Sequence, residues 1–111
     1  MTLQELVDGL GLTVYNEGAG LAAEIAGGYT SDLLSDVMGH AGAGYVWITL
    51  QAHKNVAAIA SLKELAAVIL VKGFRPDAEM LDTARQEGIP VLGSTEPEFE
   101  LSGKIYALLN K

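Results

Sequence analysis

Three short polar stretches, each following an apolar run, hold the residue types in this chain that handle anions and protons. Thr49, Gln51, His53, Lys54 and Asn55 come first, then Lys72, Gly73 and Arg75, then Ser94 and Thr95. Hydroxyls, amides and free backbone N–H groups at helix starts bind oxyanions, and Lys72 and Arg75 add positive charge. The set suits a phosphate, a carboxylate or a nucleotide. His53 can transfer a proton near neutral pH or sense it. Each residue also has a plainer reading. Asn55, Ser94 and Thr95 serve as helix caps, Lys72 and Arg75 as solvated charges, and His53 as an imidazole bonded to a backbone carbonyl.

Signatures of several chemistries are missing. No G-x-x-x-x-G-K-[ST] occurs, and Gly103-Lys104 falls inside an expected helix. There is no G-x-S-x-G and no dinucleotide glycine fingerprint. Gly39, Gly42 and Gly44 precede a strand, not a helix, so they form no phosphate loop. No second His, Cys or acid stands at metal-ligand spacing from His53, and no metal or cofactor is expected. A small enzyme would have to use His53 as acid–base and Lys72 or Arg75 as an anion clamp.

The elements that place these stretches follow from apolar patterning. Thr2 and Glu5 match a capping box for a first helix bearing Leu3, Leu6, Val7 and Leu10, closed by Gly9 and Gly11. Residues 12–15 predict a strand ended by Asn16-Glu17-Gly18, and residues 21–26 another. Gly27-Gly28 marks a turn or a close backbone approach. Thr30, Ser31 and Asp32 suit the start of a helix whose apolar face is Leu33, Leu34, Val37 and Met38. Residues 45–50, 67–71 and 89–92 are short apolar runs rich in β-branched residues, which predicts buried strands. Trp47 reads as core and Pro90 as a strand start or an edge.

Helices follow each of these strands. The first carries Val56, Ile59, Ala60 and Leu62 at helical spacing, with Asn55 as cap. The second starts at Pro76 with Asp77 and Glu79, buries Met80, Leu81 and Ala84, and stops at Gly88. The last opens on a Thr95/Glu98 capping box. Phe99, Ser102, Gly103 and Tyr106 share one of its faces, with Gly103 suited to a close helix contact. Tyr29 and Tyr106 read as half-buried at an interface, His40 as exposed. The fold class is α/β: a β-α-β-α-β-α core with a mostly parallel sheet flanked by helices, an N-terminal helix and one or two extra strands. Parallel strands bring the three polar loops to one rim.

One domain over residues 1–111 is expected, and half of the chain is hydrophobic, enough for a real core. The formal net charge of −7, from 7 basic and 14 acidic residues, argues against sequence-independent nucleic-acid binding. No run spans a bilayer, and Met1-Thr2-Leu3-Gln4-Glu5 lacks the basic start of a secretory signal. The absence of cysteine suits a cytoplasmic protein.

A family resemblance rests on several of these stretches. They are Tyr29-Thr30-Ser31-Asp32-Leu33-Leu34-Ser35-Asp36-Val37, Val46-Trp47-Ile48-Thr49, His53-Lys54-Asn55-Val56, Ile69-Leu70-Val71-Lys72-Gly73, Arg75-Pro76 and Gly88-Ile89-Pro90-Val91-Leu92. Together they resemble the DRTGG domain, itself similar to the N-terminal domain of HPr kinase/phosphorylase. Where many members carry an Asp-Arg pair after the central strand, this chain has Gln51-Ala52-His53-Lys54-Asn55. That version is similar to stand-alone members encoded near iron-only hydrogenase genes. In HPr kinase the phosphate loop belongs to a separate C-terminal domain, so the resemblance implies no kinase activity. It implies a regulatory, ligand-responsive or homodimerising module, of the kind that accompanies CBS domains in regulated pyrophosphatases. The alternative is an adaptor that docks on a redox enzyme such as an iron-only hydrogenase.

Overall fold

The computed structural model describes residues 1–17 and 20–111. Gly18, expected in the turn after the first strand, lies outside the described residues. The elements are α1 (Leu3–Leu10), β1 (Thr13–Val14), β2 (Gly27–Thr30), α2 (Leu34–His40) and β3 (Tyr45–Thr49). They continue with α3 (Lys54–Leu62), β4 (Ala67–Leu70), α4 (Ala78–Glu87), β5 (Val91–Gly93) and α5 (Glu98–Leu109). The strands form one sheet in the order β1-β5-β4-β3-β2, parallel except for β1, which runs antiparallel to β5.

Both faces of the sheet are covered, so the central strands carry apolar side chains on both sides, as parallel sheets require. Val46, Ile48, Ile69 and Leu92 pack against Leu3, Leu6 and Val7 of α1 and Leu101 and Ile105 of α5. Trp47, Val68, Leu70 and Val91 face α2, α3 and α4 through Val37, Val56, Ala60, Met80 and Ala84. Trp47 is core, as its strand position predicts, and its Nε1 donates to the Ser31 carbonyl at 2.8 Å. The Thr2/Glu5 capping box forms, and Gly11 and Gly88 end their helices with left-handed backbone. Pro90 sits just before β5 and accepts from Val68 N–H at 3.0 Å.

Several expectations are corrected. Residues 21–26 form no strand, because their backbone pairs with the chain start: Leu3 N–H donates to Ala23, Gln4 to Leu21, and Ile25 to Met1. The strand falls instead on Gly27–Thr30, where a Cβ on Gly27 would meet the Tyr45 ring at 2.9 Å. Only Val37 of the α2 face is buried; Leu33 is 64% exposed because the helix begins after it. Asn55 and Thr95 cap no helix: His53 and Pro97 hold those cap positions without side-chain bonds. Pro76 precedes α4, whose cap is Asp77. Leu62 is 69% exposed at the last residue of α3. Gly103 has open space where its Cβ would be, so no helix contact requires it. Tyr106 is 71% exposed instead of half-buried.

Candidate functional site

The parallel strands end on one rim, and Asp32 organises its middle. β2 stops at Thr30, but Ser31 N–H still reaches the Ile48 carbonyl and carries Asp32 over the end of β3. There Asp32 Oδ1 accepts from Thr49 Oγ1 and from Leu50 N–H, each at 2.8 Å. Gln51 Nε2 donates to the Asp32 carbonyl at 3.1 Å, and Gln51 N–H donates to Thr49 Oγ1. Thr49 is fully buried, so Asp32 gives its hydroxyl proton the acceptor that burial requires. Burial raises the Asp32 pKa, but the Leu50 N–H and Thr49 hydroxyl outweigh it and hold the carboxyl below its ordinary value.

Glu98, the first residue of α5, lies within the electrostatic reach of this carboxylate. Burial, then the hydrogen bond and negative charge of Asp32, push its pKa up to about 7, with Lys72 pulling the other way. The charges of two carboxyls and an ammonium therefore act on one another across the ends of β2 and β4 and the start of α5. Neither Asp32 nor Glu98 stands among the residues singled out above for binding, because both read as helix-terminus acids. The missing signal was strand order: only with β2 at the sheet edge and α5 beside it do these two residues, far apart in sequence, become neighbours.

A second part of the rim lies over β5. After β4, Lys72 and Gly73 both take left-handed backbone, with φ of 57° and 73°. That turn lets Lys72 N–H reach the Glu96 carbonyl and Gly73 N–H the Ser94 carbonyl, each at 2.9 Å. Ser94 Oγ accepts from Glu96 N–H, so its hydroxyl shapes a turn. Beside this turn lies a polar cleft of about 310 Å³, lined by Tyr15, Gly73, Ser94, Thr95, Glu96 and Lys104 among others. Arg75 places its guanidinium 5.9 Å from the centre of the Tyr15 ring, and Lys104 Nζ pairs with Glu96.

The single pocket expected from the three polar loops is divided. Thr49 and Gln51 serve the Asp32 hub. Gly73, Ser94 and Thr95 share the β5 cleft. His53 and Asn55 lie in a separate shallow depression with Lys54, Asp77 and Glu79. The reason is local: Asp77 N–H donates to the Ala52 carbonyl at 2.8 Å, which folds the start of α4 against the 51–55 loop and gives His53 acidic neighbours. Arg75 turns to Tyr15, and the Lys72 charge acts on Glu98 and Asp32. The arrangement of His53 with a Lys72 or Arg75 clamp is not formed.

A third surface is apolar. Edge strand β2 and α5 enclose a groove of about 360 Å³ lined by Gly28, Thr30, Ile48, Phe99, Gly103 and Tyr106 among others. Phe99 is 87% exposed. Thr30 and Ser102 join their hydroxyls across the groove floor at 2.7 Å. Among the described residues, no helix is long and apolar enough to cross a membrane. Nor does any group of three or more His, Asp or Glu there stand ready to hold a metal ion.

The architecture is that of an α/β domain with a doubly covered, mostly parallel sheet and a cleft over the end of β5. No family model and no curated protein matches the chain. A solved structure does. It holds the CBS and DRTGG domains of the regulatory region of Clostridium perfringens pyrophosphatase, complexed with the activator diadenosine tetraphosphate. The TM-score is 0.71 at 16% identity, over 91% of this chain and 44% of that one. The chain thus spans less than half of the length of that structure. At this identity the likeness establishes the fold, and the fold is the DRTGG-like one that the sequence resemblance implies.

Proposed function

We propose that this chain is a non-catalytic regulatory module that senses a small anionic ligand, a nucleotide first among them, and works as a homodimer. The observation that carries the ligand reading is the polar cleft at the strand ends, in a fold shared with a regulatory region that was solved with a nucleotide activator. In the cleft the Tyr15 ring offers a flat surface for a base, while Thr95 and Lys104 offer a hydroxyl and an ammonium to phosphate oxygens. Lys104 would exchange its Glu96 partner for the ligand. Calorimetric titration with ATP, ADP, AMP and diadenosine tetraphosphate tests this. Saturable heat that Lys104→Ala weakens supports it, and no heat or thermal shift with any of the four removes it.

The homodimer reading rests on the groove along α5. A soluble chain seldom leaves residues such as Phe99 and Tyr106 together in water without a partner. A second copy suits this face because Phe99 and Tyr106 lie about two turns apart on α5 and both line the groove. Two antiparallel copies about a two-fold axis would set Phe99 near the partner's Tyr106. Light scattering that returns the monomer mass of 11.7 kDa would exclude the dimer.

A further inference from the structure

The two edges of the sheet are not alike. β1 is two residues long, too short to template another strand. β2 runs four residues in unbroken register with β3 and carries no charge and no proline to guard its edge. Ser31 N–H donates inward to the Ile48 carbonyl, and a parallel ladder repeats that orientation at every second residue, hence at Tyr29. Gly28 and Thr30 therefore turn their N–H and C=O groups to the open side. Both residues are exposed, and among the described residues no backbone bond beyond the ladder involves either of them. We infer that β2 pairs antiparallel with β2 of a second copy, so that the two sheets join into one. This rests on the homodimer reading above and adds how the copies meet.

A two-fold axis at Tyr29, perpendicular to the sheet, sets Gly28 opposite the partner's Thr30 and Thr30 opposite the partner's Gly28. Residues so placed exchange N–H···O bonds in both directions, and every outward group of Gly28 and Thr30 finds an acceptor or donor in one operation. The same axis brings the helices together. Thr30 turns its side chain to α5, where its hydroxyl meets Ser102 at 2.7 Å, and both Gly28 and Thr30 line the groove walled by Phe99 and Tyr106. α5 lies over β2 and, to a lesser extent, β3. With strands about 4.8 Å apart, the helix stands about 5 Å from the axis, and its two copies run antiparallel about 10 Å apart, a distance at which helices pack. An unrelated extended segment would fill the edge of β2 and leave the groove open. A second copy covers both.

The chain has no cysteine, so one introduced thiol forms a protein–protein disulfide only with another copy. Tyr29 stands opposite itself across the axis in a non-hydrogen-bonded pair, where Cα atoms are about 4.5 Å apart, within the span of a disulfide. Tyr29→Cys treated with oxidised glutathione should run on a non-reducing gel at twice 11.7 kDa, while Leu62→Cys, exposed on α3, should stay at 11.7 kDa. Tyr29 also donates to Asp36 at 2.9 Å, so a measurement on the unaltered chain keeps the test decisive if the variant fails to fold. Amide exchange at Gly28 and Thr30 should slow by about tenfold or more as concentration is raised through the monomer–dimer transition seen by light scattering. A folded Tyr29→Cys that cross-links no faster than Leu62→Cys overturns the strand pairing. So does a dimer in which the Gly28 and Thr30 amides exchange as they do in the monomer, and there the homodimer reading stands. A chain that keeps a mass of 11.7 kDa at every concentration overturns both.

Discussion

The Tyr15 ring lies over Gly93 so closely that a Cβ on that glycine would meet Tyr15 Cε2 at 2.6 Å. The glycine is thus the seat of the ring that walls the β5 cleft, and the Arg75 guanidinium lies 5.9 Å from the centre of the ring. Gly93→Ala must push the ring aside and is expected to cost about 1–2 kcal/mol in urea unfolding. In a Tyr15→Ala background the same substitution should cost little. Additive losses would mean that the ring and the glycine do not constrain each other.

Asn16 is the other hinge of this edge. Its buried amide donates to the Ile89 carbonyl at 2.6 Å and accepts from Val91 N–H at 2.7 Å, clamping the end of β1 to the start of β5. Asn16→Ala leaves both backbone groups without partners and should destabilise by about 2–4 kcal/mol. Asn16→Asp keeps the acceptor but sets a carboxylate against a carbonyl, so its loss should be larger at neutral pH than in acid. Chemical denaturation at two pH values measures both.

Much of the architecture was legible because it rests on local patterns. The runs at residues 45–50, 67–71 and 89–92 are apolar on both faces, and only a strand buried on both sides accommodates that. Gly11 and Gly88 follow helical stretches at the position where left-handed backbone is needed. What failed depended on partners distant in sequence. Residues 21–26 are apolar enough for a strand, yet the chain start and α1 take their hydrogen bonds. Thr95 and Glu98 have capping-box spacing, but Pro97 starts the helix later and makes Glu98 its first residue. The candidate site was readable as a rim and not as a pocket, because the Asp77–Ala52 bond that separates His53 from the β5 cleft leaves no local signature.

The exposed face of α5 makes a prediction about mass. Phe99→Ser with Tyr106→Ser removes both aromatic anchors while leaving the buried Leu101 and Ile105 in place. Light scattering should then fall from twice 11.7 kDa to that value, with circular dichroism unchanged. A dimer that persists in the double variant places the interface elsewhere.

Stability should respond to pH through Asp32 and Glu98 in opposite directions. Asp32 has a folded pKa below its ordinary 3.8. Its contribution is therefore complete above 3.8 and lost as pH falls through the lower folded value. Glu98 is raised from 4.5 to about 7, so the folded state holds a proton that the unfolded state releases. Its contribution is complete below 4.5 and erodes as pH rises to about 7, beyond which no more is lost. The two windows overlap in mild acid, where this pair stabilises most. Glu98 is only partly buried, and solvent screening reduces the effect, so the melting temperature should fall by about 2–5 °C between about pH 5 and about pH 8. Glu98→Gln should flatten that slope without altering the acid limb, because the introduced amide can still donate to Asp32 at every pH. Asp32→Asn should weaken both limbs, since it removes the depressed carboxyl and the charge that raises Glu98. Melting curves across this range that stay parallel for all three proteins would show that the two carboxyls titrate independently of folding.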